Sequence, residues 1–155
     1  MTAARAWRAV PHGDCSIART LQLVGAPWTL VVVRDLMLGV SRFDDLVAHL
    51  GIARNVLTRR LAELTPAGLV EAVPYREAGA RIRREYRLTA RGLDLRPVLF
   101  ALLAYGDEHL AGDDGPPVQL VHGNCGSPVR LTASCRCGHD VPFEQVQVAV
   151  GRERS

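Results

Sequence analysis

Residues Gly51–Glu71 read "GIARNVLTRRLAELTPAGLVE". Leu57, Leu61 and Leu64 recur at helical spacing, and at about 100° per residue they fall within roughly 60° of one another. Ala53 lies beside them, and this stripe reads as a core face. On the opposite side, within about 100°, fall Asn55, Thr58, Arg59 and Ala62. That second face is small, polar and rich in donors. Glu63 is displaced to one flank, and Arg60 to the flank of the core stripe. A merely solvated face usually mixes signs and sets glutamate four residues from a cation. The absence of glutamate from this face points to an anionic partner, with an ordinary solvated helix as the alternative.

Double-stranded DNA fits the chemistry. Arginine pairs with guanine O6 and N7, asparagine with adenine N6 and N7, and threonine contacts the thymine methyl. A recognition helix presents its first turns to the major groove. Arg54, at the helix start, is placed for a base or a phosphate, and a helix N-terminus itself attracts phosphate. Ala53 stands where a serine or threonine cap is expected. If Asn55 caps a shorter helix instead, it is less free to read a base.

The surrounding sequence places this helix in a pattern. Residues 1–14 read as an arm carrying Arg5 and Arg8. A helix fits Ser16–Val24, with Ile17, Leu21 and Val24 at i, i+4 and i+7 and with Asp14 or Ser16 as its cap. Pro27 suits the first turn of the next helix. In "WTLVVVRDLML" the run Val31–Val33 also reads as a strand, but the length and the Gly39 stop favour a buried helix. Ser41 opens "SRFDDLVAHLG", with Asp44 as a capping-box variant and Phe43, Leu46, Val47 and Leu50 as its apolar stripe. Two short helices separated by "GIA" have helix-turn-helix spacing.

From Leu69 onward, "LVEAVPY" and "EYRLT" alternate like two strands joined by a charged turn. Six arginines lie within residues 76–91 against only Glu77 and Glu85, a local excess larger than the net charge of +3 for the whole chain. An arginine-loaded hairpin after a helix-turn-helix reads as a wing that lies along the DNA backbone or minor groove. Thr89 then caps one long helix, about residues 90–110. Its apolar positions Leu95, Val98, Leu99, Leu102, Leu103 and Tyr105 are denser than a small core needs, which reads as a dimer face or as a helix that covers the domain. "GDDGPPVQ" (112–119) is a linker by composition.

The order "CSIARTLQLVG", "APWTLVVVRDLMLGVSRFDDLVAHL", "GIARNVLTRRLAEL", "TPAGLVE" and "EYRLTARG" resembles the HxlR family of bacterial winged-helix regulators over Cys15 to about Tyr105. The resemblance implies an α+β fold. It would be a mostly helical winged helix-turn-helix domain (15–111) with a two-stranded wing; residues 120–150, short and alternating, read beside it as a small β-rich C-terminal extension. It implies a homodimer on pseudo-palindromic operator DNA, with terminal helices as the dimer contact. Its DNA-contacting residues would be Arg54, Asn55, Thr58 and Arg59 on the recognition helix, and Arg42, Arg81, Arg83 and Arg84 on the wing and its flanks. Two departures stand out. Gly25-Ala26-Pro27 replaces the family's frequent Gly-Gly-Lys, and the longer wing lets Arg81 and Arg83 reach phosphates that a shorter one misses. Several such regulators carry a sensor thiol where Cys15 falls, and a helix N-terminus with Arg19 one turn on favours thiolate there. A small buried cysteine is the plainer reading.

The tail holds His122, Cys125, Cys135, Cys137 and His139. In a cytosolic protein such a cluster points to reduced thiols or metal ligands rather than disulfides. His122, Cys125, Cys135 and Cys137 are the candidate ligands of a structural zinc. Some longer HxlR-like chains carry Cys-x-x-Cys here, whereas this chain has Cys-x-Cys, so a degenerate ribbon that folds without metal stays open.

Composition narrows the classes. The chain is 155 residues long, 48% hydrophobic and 23% charged, which suits one folded domain with an appendage. All 19 basic residues are arginine. Codon preference in a GC-rich genome accounts for that, although each cation is still a planar fork suited to phosphate and guanine. No apolar run approaches the ~18 residues of a membrane span, and no signal-peptide core opens the chain. The expectation is a cytoplasmic, nucleoid-associated regulator with no membrane partner and a small-molecule or oxidant effector. No phosphate loop, paired carboxylates or Ser/His/Asp arrangement supports an enzyme. The alternatives are a protein-docking winged helix, which the arginine excess disfavours, and a ligand-responsive regulator without thiol sensing.

Overall fold

The computed structural model describes Arg8, residues 11–76 and residues 82–149. Arg5 and the wing-tip candidate Arg81 lie outside the described residues. The described residues divide into two compact units, one within Ser16–Leu99 and the other made of those up to Cys15 together with those from Phe100 onward.

The first unit begins with α1 (Ser16–Val24) and α2 (Thr29–Met37). The β-branched run of α2 is helical, and Val32 and Val33 are fully buried. Chain stiffness at Val31–Val33 is outweighed by packing, since each buried aliphatic side chain contributes about 1.5–3 kcal/mol. Pro27 sits in the turn before α2 rather than in its first turn. The N-cap is Trp28, which adopts φ 73°, and among the described residues no other non-glycine residue has positive φ.

Next come α3 (Phe43–Leu50) and α4 (Arg54–Leu64), joined by a tight turn in which Gly51 takes φ 63°. That left-handed conformation ends α3 at little cost because glycine has no Cβ. The buried side chains Leu46 of α3 and Leu57, Leu61 and Leu64 of α4 meet Val32, Val33, Leu36 and Val70 in one core.

The strands β1 (Val70–Tyr75) and β2 (Arg83–Leu88) pair antiparallel, from Val70↔Leu88 to Tyr75↔Arg83. Ser41 does not open α3 as expected. Its backbone is drawn into the sheet, where the Tyr86 N–H donates to the Ser41 carbonyl at 2.7 Å and Arg42 forms a bridge with Glu85. The N-cap of α3 is therefore Arg42, with no side-chain cap; Asp44 and Asp45 supply negative charge to the first turn instead.

Thr89 caps as expected, accepting the Gly92 N–H at 3.1 Å. The single helix expected over 90–110 is instead α5 (Ala90–Leu93) followed by α6 (Arg96–His109). Pro97 explains the break: it has no N–H for the Leu93 carbonyl, and its ring would clash there. Gly92 is needed for a different reason, since a Cβ at this position would lie 2.1 Å from the Leu69 carbonyl oxygen.

In the second unit, Val121 and Pro128 form an isolated bridge and two-residue strands β3 (Ala133–Ser134) and β4 (Asp140–Val141) pair antiparallel. The α+β winged helix-turn-helix read from the sequence is the fold found. No single described helix is long and apolar enough to cross a membrane; α1 and α2 reach that composition only as a pair bent by 78°.

Candidate nucleic-acid interface

The two faces of α4 separate as the helical period requires. The side chain of Arg59 is 74% exposed, whereas that of Arg60 is 8% exposed. Arg60 is thus a packed residue whose Nη1 donates to Glu63 at 2.9 Å. Glu63 also accepts from Arg59 Nε at 3.1 Å, one turn away. The glutamate that looks displaced on a helical wheel is long enough to reach across the flank, so Arg59 is held by an exposed, exchangeable pair.

The missing cap at Ala53 has a local consequence. No side chain caps α4 from Ala53, and Asn55 Oδ1 accepts the Val56 N–H at 2.9 Å. Asn55 therefore occupies one of the first-turn donors of its own helix with its oxygen. Thr58 donates its hydroxyl to the Arg54 carbonyl at 2.9 Å, which leaves its methyl group as the outward chemistry.

Arg54 is tied to the helix before it. Its Nη1 donates to Asp44 Oδ1 at 2.7 Å, and its guanidinium lies 4.8 Å from the centre of the Phe43 ring. Arg42 stacks on the wing, 4.8 Å from the centre of the Tyr75 ring. Arg83 Nη1 lies 3.8 Å from Asp44 Oδ2. Arg42, Arg54, Arg83 and Arg84 all line one cleft of about 520 Å³ beside α3, α4 and the wing, together with Asp44 and Tyr75. The sequence marks Asp44 only as a variant cap, because its arginine partners lie ten and thirty-nine residues away. The signal available for a larger role is its place in the first turn of the helix-turn-helix.

One further polar network fixes the orientation of α3. Asp35 of α2 is fully buried and accepts from Arg34 Nε and Nη2 at 2.9 and 2.7 Å. Its other oxygen lies 2.6 Å from His49 Nδ1 on α3.

The cysteines fall in the second unit. Cys15 is half-buried, immediately before α1, and its N–H donates to the His12 carbonyl at 3.2 Å. The tail side chains form two pairs, His122 Nδ1 with Cys125 Sγ at 3.1 Å and His139 Nδ1 with Cys135 Sγ at 3.7 Å. The Ser127 hydroxyl and N–H, aided by His122, lower the Cys125 thiol from 9.0 to about 7, and the His139 and Cys137 N–H groups lower Cys135. Among the described residues no three His, Cys, Asp or Glu side chains converge on a point that could hold a metal ion. Each pair is half of the four-ligand set that a structural zinc requires.

Comparison with known proteins agrees with this architecture. The family profile for HxlR-like helix-turn-helix proteins matches residues 23–114. The uncharacterized HTH-type transcriptional regulator Rv3095 of Mycobacterium tuberculosis is 40% identical over 132 residues, covering 84% of this chain and 82% of its own. The crystal structure of PA1607, a candidate transcription factor, superimposes with a TM-score of 0.78 at 35% identity, over 88% of this chain and 94% of that one. The oxidized form of the redox regulator HypR superimposes with a TM-score of 0.56 at 25% identity, over 63% of this chain and 100% of that one.

Proposed function

The chain belongs to the HxlR-like helix-turn-helix family of transcriptional regulators, which are not enzymes, and from that premise we propose that it binds pseudo-palindromic operator DNA as a homodimer. The observation that carries this reading is the exposed outer face of α4, with Arg59 74% exposed, beside a cleft lined by Arg42, Arg54, Arg83 and Arg84. Arg59 and Thr58 would contact base edges and Arg54 a base or phosphate. Asn55 would contact DNA through its amide nitrogen, because its oxygen serves the helix. Arg83 and Arg84 would contact the backbone. In favour of a dimer, α6 buries none of its residues, and Val98, Leu102 and Tyr105 on it are exposed. On α1, Ile17 and Leu21 are exposed as well. A regulator that acts on operators works where the chromosome is, in the cytoplasm. The proposal assigns no cofactor.

The two classes of arginine are expected to behave differently. Arg59→Ala relaxes base preference, with a loss of about 1–3 kcal/mol confined to the selected site. Arg83→Ala weakens binding to every sequence alike and reduces the slope of log K against log salt by about one. Binding titrations on a site selected in vitro and on a mixed-sequence duplex test this. Equal losses from both variants on both duplexes would contradict the assignment.

An oxidant response through Cys15 is the regulatory part of the proposal, supported by its place just before α1 and by the likeness to HypR. Cys15→Ser is expected to keep DNA affinity and to lose any change induced by diamide. A diamide effect of undiminished size in that variant removes Cys15 from the reading.

A further inference from the structure

Asp44 is shared by two arginines from different elements. Its Oδ1 accepts from Arg54 of α4 at 2.7 Å, and its Oδ2 lies 3.8 Å from Arg83 of the wing. Phe43 holds the same Arg54 guanidinium at 4.8 Å, so the arginine is oriented between a carboxylate and an aromatic face. One carboxylate facing two guanidiniums presents them with a shared negative group, as a phosphate would: Arg54 is bound through one N–H and Arg83 lies at ion-pair distance. The Arg54 and Asp44 side chains are 66% and 57% exposed, so water and competing anions reach the contact and exchange it readily.

We propose that Asp44 is a built-in stand-in for a DNA phosphate and the residue that limits sequence-independent binding: it occupies Arg54 and Arg83 in the free protein and is displaced by the duplex. The inference rests on the DNA-binding reading above. Non-specific affinity comes from guanidiniums and ammoniums that neutralise phosphates. A carboxylate between two of those guanidiniums subtracts from that affinity on any sequence. It also keeps Arg54 pointed from the start of α4, where a base contact can replace the ion pair. Without Asp44, Arg54 and Arg83 are available to any phosphate. A purely structural Asp44, acting on the α3 dipole, makes the opposite forecast: its loss would loosen the helix-turn-helix and weaken DNA binding.

The test uses the full chain with two fluorescent duplexes, one of mixed sequence and one obtained by in vitro selection with the unaltered protein. Asp44→Asn is expected to raise affinity for the mixed duplex by roughly 3–8-fold near 0.1 M salt and to steepen its salt slope by about 0.9 for each additional phosphate neutralised. Affinity for the selected duplex rises less, so the ratio between the two falls. Asp44→Glu keeps the charge and retains the original slope. Adding Arg54→Gln to Asp44→Asn removes most of the increase. If Asp44→Asn matches the unaltered protein on both duplexes, or weakens both, the proposal is overturned while the DNA reading stands. If the unaltered protein shows neither a selected site nor salt-dependent binding, the DNA reading falls and takes this proposal with it.

Discussion

Leu57→Ala is expected to lower the unfolding free energy by about 2–5 kcal/mol. Leu57 is fully buried near the start of α4, against a core that includes Leu46 and Val32. Truncation removes its transfer free energy and leaves a cavity that a two-helix junction can close only in part. For a unit of this size the midpoint falls by about 10 °C or more. Its sequence neighbour is the control. Thr58 is exposed and bonds only to the Arg54 carbonyl, so Thr58→Ala changes stability by no more than about 0.5 kcal/mol. Urea titration checks both, with Leu57→Ala moving the midpoint at an unchanged slope. A Leu57→Ala loss as small as that of Thr58→Ala would mean that α4 is not anchored as described. The two positions then separate folding from reading on one helix, because Leu57→Ala loses DNA binding only when the domain unfolds.

The second large effect concerns the buried carboxylate that joins α2 to α3. The Asp35 side chain is fully buried, whereas those of Arg34 and His49 are 48% and 57% exposed. The cost of breaking this network depends on which side is removed. In Asp35→Asn both former partners reach water and no charge is stranded, so about 1–2 kcal/mol is lost with the hydrogen bonds. In the Arg34→Leu/His49→Leu double variant the carboxylate stays buried without either partner, and the expected loss is about 3–5 kcal/mol. Adding Asp35→Asn to the double variant should recover much of that loss, since it removes the stranded charge. Chemical denaturation of the four proteins forms the cycle. A larger loss in Asp35→Asn than in the double variant would show that the carboxylate is not the energetic centre of the network. His49 lies on α3, so the same network joins α2 to the helix that carries Asp44 and Phe43.

Much of the architecture is legible from local sequence. The leucine stripe of α4 is the buried stripe, and α1 covers Ser16–Val24 as its spacing requires. Gly39 and Gly51 stop helices through positive φ, and Thr89 caps where its sequence places it. These features depend on a few neighbouring residues and on the helical period. The break before α6 is legible too, through Pro97, but the dense apolar run around it favours one continuous helix. Ser41 departs from expectation for a different reason. A serine before an apolar stripe is a good cap in isolation, and only the arrival of β2 makes its carbonyl a sheet acceptor.

The sequence by itself determined which residues of α4 face inward, where the helix before it stops at Gly51, and that an arginine-rich hairpin follows. Those are consequences of periodicity and backbone conformation, which are local. Only the tertiary structure decided how the outward cations are held: Arg42 on Tyr75, Arg54 on Asp44 and Phe43, Arg83 beside the same Asp44. These three guanidiniums, on long flexible stems, meet partners ten or more residues away that only packing brings within reach, whereas Arg59 and Arg60 pair with Glu63, a neighbour in the chain.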